Sequence, residues 1–322
     1  MLHTHNTHFH RRREHPLPSI FRPPRQTTLV WEGPNDHGPG YLSHFTLPKY
    51  TQFLSTFPAL FFSELIGSAL ITLPYYFIDP RLKYYAVTEA LSVCGLVYAA
   101  VWLTYPISGS NLNPLITLAF CLTRRIPFRY LFIYWTGQFA GAGLSMGIAH
   151  FVSPLSKVID TMGMTLPQHG ISDFSVMVIE CIFTFLLIII ICSGTDELRD
   201  YLWTTGDGST LAFAYALAYM INHMALANIT GCGINPFRSI VPSILHGKLN
   251  HVWPYVIGPV LGSFLASIFY EVVLSDDACW IRTKYWVSSP RFHRNYIYSD
   301  NENLIKNSHI HIETDGTEIS SN

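Results

Sequence analysis

Six stretches of about twenty residues, each nearly free of charge, limit this chain more than any other feature: residues 53–78, 86–107, 130–152, 174–192, 209–227 and 252–274. A bilayer's hydrocarbon core is about 30 Å thick and takes about 20 helical residues to cross. In lipid, only helices or closed barrels satisfy every backbone group, and runs this long are helices. A soluble six-helix bundle would need charged outer faces. Charged residues make up 13% of the chain, against roughly 25% in a typical soluble domain. Only 20 of the 41 charged residues lie between positions 50 and 275.

The remaining charge sits in the tails and sets orientation, because Lys and Arg collect on the cytoplasmic side. With both tails inside, 15 basic residues fall inside and five outside. Both termini are therefore expected to be cytoplasmic, with residues 1–49 a largely disordered N-terminal tail, 50–275 the membrane domain and 276–322 a C-terminal tail. The basic N-terminus has no apolar stretch behind it and does not read as a signal peptide. Its seven histidines read as low-complexity sequence rather than a metal site; Tyr41 and Phe45 are candidate plugs for the inner mouth. A net charge of −1 argues against nucleic acid as a partner. The six cysteines form no CxxC pair, so no zinc or redox site is expected.

The chain also repeats itself. Asn113-Pro114 recurs as Asn235-Pro236, 122 residues on, and Gly137-x-x-x-Gly141 recurs as Gly258-x-x-x-Gly262. Glu64 in the first span matches Glu180 in the fourth more loosely. Each half (about 50–152 and 174–275) holds three spans, an odd number, so the second half is inverted relative to the first. Inverted repeats place a transport site at their interface near the midplane. Each Asn-Pro opens a short apolar run, NPLITLAFCL and NPFRSIVPSIL. Asn is a favoured N-cap and Pro a favoured first helical residue, so each run reads as a half-helix of roughly 12–15 Å. One enters from each side, and their N-termini meet in the middle. Each N-terminus carries about half a positive charge, which repels cations. If each Asn caps with its oxygen, its NH2 is free to hold a water oxygen and turn the water's hydrogens away.

On these residues the chain resembles an aquaporin of the major intrinsic protein family. SGSNLNPLITLAF is similar to the first family signature and TGCGINPFRSIVPSI to the second, and the resemblance covers about residues 53–274. It implies an all-α membrane protein of six transmembrane helices and two re-entrant half-helices. It also implies an outer selectivity filter at Val93, His223, Cys232 and Arg238, and homotetramers with one pore per subunit. His223, Cys232 and Arg238 match the water-selective type. Val93, or Cys94 if the loop differs by one residue, stands where most members have an aromatic. Leu115 and Phe237 replace the usual Ala after Asn-Pro and are expected to point into surrounding helices.

Other polar residues have a place in the same scheme. Glu64 and Glu180 are costly unpaired in lipid and are expected to accept backbone N–H groups of the re-entrant loops. Glu271 is expected at the interface, and Cys232 as a pore-lining thiol open to bulky reagents. The functional expectation is a passive water channel that excludes protons and ions, without cofactor or catalysis, in the plasma membrane. The alternatives are a channel for glycerol or other small neutral solutes, and a pore-closed junctional or regulatory protein.

Overall fold

The computed structural model describes residues 50–196, 208–275, 278–290, 292, 294, 296–297 and 306–307. The N-terminal tail with its histidines, Tyr41 and Phe45, and Arg199 lie outside the described residues.

The six apolar stretches form α1 (Tyr50–Thr72, continued by a tight turn Leu73–Tyr76), α2 (Tyr85–Ser108), α4 (Leu131–Val152), α5 (Asp173–Gly194), α6 (Gly208–Leu226) and α8 (Pro254–Phe269, continued by a π turn Tyr270–Leu274). Between them lie two short helices, α3 (Pro114–Leu122) and α7 (Pro236–Leu245). Local sequence sets the boundaries. Ser172 caps α5 by accepting from the Ser175 amide, and Gly109 ends α2 at φ 78°, a left-handed conformation that glycine adopts without penalty. Four segments, Phe57–Tyr76, Tyr85–Ser108, Asp173–Gly194 and Pro254–Leu274, are long and apolar enough to cross a membrane. Helix α4 has the length, with glycine, glutamine and serine diluting its apolar run. The apolar helix Thr210–Leu226 is shorter.

Packing follows the repeat: α1 lies on α4, α5 on α8, and α2 on α6. Half-helix α3 rests against α8 and α4, while α7 rests against α4. The polarity of a soluble protein is reversed. Phe62, Trp102, Phe132, Phe151 and Phe213 are exposed, whereas Glu64, Glu89, Gln138, Glu180 and His223 are buried. Lipid outside the bundle and polar groups paired within it account for that arrangement.

Glu271, expected at the interface, is fully buried within the protein, paired with Arg282 at 2.7 Å and with Arg294. Within the segment expected as the C-terminal tail, α9 (Trp280–Ser288) docks against the end of α3. Trp286 Nε1 donates to the Leu122 carbonyl at 3.2 Å, and Arg294 donates to that of Thr123 at 3.0 Å. The last carbonyls of a helix lack intrahelical partners and favour cations, which gives these contacts their physical basis.

Candidate functional site

The two half-helices start alike. Asn113 and Asn235 are extended, at φ −142° and −146°. Asn113 Oδ1 accepts from the Leu115 amide at 3.0 Å, and Asn235 Oδ1 accepts from Phe237 at 3.0 Å and Arg238 at 3.4 Å. The tips touch: Asn113 Nδ2 donates to the carbonyl of Ile234, the residue before Asn235, at 2.9 Å.

The loops leading into these caps are copies of one another. Gly109, Ser110 and Leu112 have φ of 78°, 51° and 56°; Gly231, Cys232 and Ile234, each 122 residues on, have 81°, 51° and 38°. Left-handed φ is unfavourable for Ser, Cys, Leu and above all β-branched Ile, so something must hold these loops. The glutamates do. Glu64 accepts from Ser108 Oγ (2.6 Å), the amides of Asn111 (3.1 Å) and Leu112 (2.7 Å), and Gln138 Nε2 (2.8 Å). Glu180 accepts from Thr230 Oγ1 (2.6 Å) and the amides of Gly233 (2.9 Å) and Ile234 (2.7 Å). Tyr134 and Tyr255 complete the pattern by donating to the carbonyls of Ser108 and Thr230. Sequence reasoning missed Ser108, Gln138, Tyr134, Thr230 and Tyr255. The offset of 122 that paired the asparagines pairs Ser108 with Thr230, and the offset of 121 that paired the glycines pairs Tyr134 with Tyr255.

The residues after each Asn-Pro face the protein. Leu115 is buried, and its carbonyl accepts from Ser263 Oγ at 2.9 Å. Phe237 sets its ring edge-on to Trp135 and Phe139 of α4, with centroids 6.3 and 5.4 Å apart.

One expectation fails at the centre. The Asn113 NH2 is not free, because besides Ile234 it donates to Tyr219 Oη at 3.0 Å. Asn235 Nδ2 has no hydrogen-bond partner among the described residues.

The four expected filter residues, Val93, His223, Cys232 and Arg238, are all buried. Arg238 donates to the carbonyls of Gly163 (2.9 Å) and Gly231 (3.1 Å). Its guanidinium lies 4.0 Å from the centre of the Tyr75 ring, a cation–π contact. Tyr75 Oη is 2.9 Å from His223 Nε2, with the rings stacked at 5.4 Å. His223 Nδ1 is 2.7 Å from Glu89 Oε1. In the neutral ring, a carboxylate at Nδ1 holds the proton there and Nε2 accepts from the Tyr75 hydroxyl. An aromatic, Tyr75 at the end of the first span, therefore lies against both His223 and Arg238. Tyr75 and Glu89 were both missed, and neither carries a motif.

Cys232 was expected as a thiol open to bulky reagents. Its thiol is buried, in the loop that the Arg238 guanidinium closes over through the Gly231 carbonyl. A bulky, membrane-impermeant maleimide is therefore expected to leave Cys232 unmodified over minutes. Stoichiometric labelling of Cys232 by mass spectrometry of the folded protein would contradict this conformation.

Residues 45–270 match the family model described as Major intrinsic protein. The chain is similar to aquaporin-4 of Bos taurus, 33% identical over 171 residues, which are 53% of this chain and 51% of that protein. It thus spans about half the length of the curated relatives it matches first. It is also similar to aquaporin-5 of Homo sapiens, 30% identical over 235 residues, 73% of this chain and 83% of that one. Among solved structures it resembles the aquaglyceroporin from Plasmodium falciparum. The TM-score is 0.60 at 17% identity, covering 67% of this chain and 96% of that one, a likeness of fold.

Proposed function

The chain belongs to the major intrinsic protein family, and from that premise we propose that it is a passive channel for water that excludes protons and ions. It has no catalytic step, cofactor or energy input. The observation that carries this reading is the contact of two capped half-helix N-termini, through Asn113 Nδ2 and the Ile234 carbonyl at 2.9 Å. Opposed N-termini bring two partial positive charges to one point, which repels hydronium and metal cations. Arg238, held by two carbonyls, adds a full charge on the outer side.

A channel for glycerol is the weaker reading. It draws on the small Val93, whereas an aromatic ring, that of Tyr75, lies against both His223 and Arg238. The pore-closed alternative differs by having no flux at all. The two ends, rich in Lys and Arg, support cytoplasmic termini. The exposed aromatics of the outer surface are in keeping with lipid contact and with a homotetramer in the plasma membrane.

The test is stopped-flow shrinkage of proteoliposomes, with water and glycerol gradients run on one preparation. Water permeability is expected about tenfold or more above protein-free vesicles, a difference of about 1.4 kcal/mol in barrier, with glycerol at background. Glycerol flux comparable to that of water would transfer the assignment to the solute channel. Well-folded protein with neither flux would favour the closed alternative.

A further inference from the structure

We propose that Tyr219 is part of the central constriction: its hydroxyl replaces the first amide as the donor that meets the permeating molecule, and its ring narrows the passage to single-file water. This inference rests on the channel reading and gives that site its size limit.

Position comes first. Tyr219 and His223 are four residues apart on α6, hence on one face, about 6 Å apart along the axis. His223 belongs to the outer filter, and Tyr219 stands one turn further in. There its Oη lies 3.0 Å from Asn113 Nδ2, beside the junction of the two half-helices.

Hydrogen counting comes next. The Asn113 NH2 has two hydrogens, and both are spent, one on Ile234 O and one on Tyr219 Oη. Nothing of that amide is left for a permeant. Tyr219 Oη accepts in this contact, and its own proton has no acceptor among the described residues, although the side chain is 3% exposed. A buried donor without an acceptor is unfavourable, so the oxygen of a passing molecule is its natural partner. With Asn235 Nδ2 also unengaged, the donor pair at the centre is Tyr219 Oη–H and Asn235 Nδ2–H.

The substitution preserves the proton block. The Asn113 N–H occupies a lone pair of Tyr219 Oη and turns the O–H away from itself. The hydroxyl therefore presents a donor, as the amide would have done. A water held by it keeps its oxygen toward the donors and its hydrogens outward.

Size follows from the repeat. The position 122 residues before Tyr219 is Val97, buried on α2. One half thus presents an isopropyl group where the other presents a phenol. The inverted halves are alike at the caps and loops and differ here, so the centre of this pore is narrower and more polar on one side.

The experiment compares the parent with Tyr219→Val and Tyr219→Phe in proteoliposomes, after each has shown a monodisperse, thermally cooperative preparation. Tyr219→Val removes the ring and returns the Asn113 hydrogen to the lumen; it should raise water permeability several-fold and admit glycerol. Tyr219→Phe removes both the acceptor and the donor but keeps the ring, which still covers the Asn113 hydrogen. It should lower water permeability about tenfold, equivalent to about 1.4 kcal/mol, and still exclude glycerol. A silent parent with a conducting Tyr219→Val variant would overturn the proposal, because Tyr219 would then close the passage rather than narrow it to water. Parental water permeability and parental glycerol exclusion in both variants would overturn it and leave the channel reading standing. No flux in the parent or either variant would remove the channel reading and this proposal together.

Discussion

Replacing Glu64 by alanine is expected to prevent the protein from accumulating in folded form. The carboxylate accepts from two hydroxyl or amide side chains, Ser108 and Gln138, and from two backbone amides, those of Asn111 and Leu112. All four donors are buried. Leaving a buried donor unsatisfied costs about 1–3 kcal/mol, and even with partial relaxation the sum reaches about 4 kcal/mol or more. Native stability is only about 5–15 kcal/mol. The left-handed residues Ser110 and Leu112 add to the cost, since their strain is held by the same bonds. Glu180→Ala should follow with a smaller loss, because Glu180 has three such donors. Gln at either position should fall in between. At position 64 the Ser108 hydroxyl can turn to accept from the new NH2, but the Asn111 amide cannot. Thermal unfolding followed by fluorescence-detected size exclusion in detergent reads the order. A Glu64→Ala protein melting within a few degrees of the parent would show that the half-helices are seated by something other than this carboxylate.

The same residues show why part of this molecule was legible in the sequence. Lipid admits few architectures, so six apolar stretches gave the helices almost directly. A repeat states its constraints twice: Asn113 with Asn235, Glu64 with Glu180 and the paired glycines were each recognisable because a partner existed elsewhere in the chain. Tyr75, Glu89 and Tyr219 had no such echo. The positions 122 residues from Glu89 and Tyr219 are Leu211 and Val97, so no comparison of the halves could single them out. Counting back from Asn113 lands on Val93, but counting cannot reveal that a tyrosine ending the first span reaches across to His223. Nor could it reveal that the amide of Asn113 would be taken by a phenol. Symmetric positions build the scaffold here, and the departures from symmetry fall at the two proposed constrictions. The C-terminal segment was missed for a different reason. Arg282, Arg294 and Trp286 look like ordinary tail residues until Glu271 and the end of α3 are placed beneath them.

The paired glycines yield the second large effect, and it comes with its own control. A Cβ on Gly141 would lie 2.3 Å from the Leu65 carbonyl oxygen, and one on Gly137 would lie 2.8 Å from that of Phe61. In the other half, a Cβ on Gly258 or Gly262 would lie 2.3 Å from the carbonyl oxygens of Met177 and Cys181. These obstacles are backbone, not side-chain tips that can swing aside, so α4 must part from α1, or α8 from α5. Small residues at such positions let helices approach closely, and overpacking a close contact costs about 1–3 kcal/mol. Gly141→Ala and Gly262→Ala should each lose that much, and the double variant should exceed either. Gly143 and Gly147 share α4 with Gly141 but face open space, with nothing within 4 Å. There alanine should be neutral or stabilising by up to about 1 kcal/mol, the difference in helix propensity. One helix therefore predicts opposite signs two residues apart, a contrast that simple helix filler would not produce. Function should track packing in the first pair. A Cβ on Gly137 would also stand 3.1 Å from Glu64 Cβ, so parting the helices shifts the carboxylate that holds the Asn113 loop. Water flux per folded channel in Gly137→Ala should fall along with the melting temperature. Equal melting shifts in Gly141→Ala and Gly143→Ala would contradict this account of the interface. Full flux in a destabilised Gly137→Ala would separate helix spacing from the seating of the half-helix.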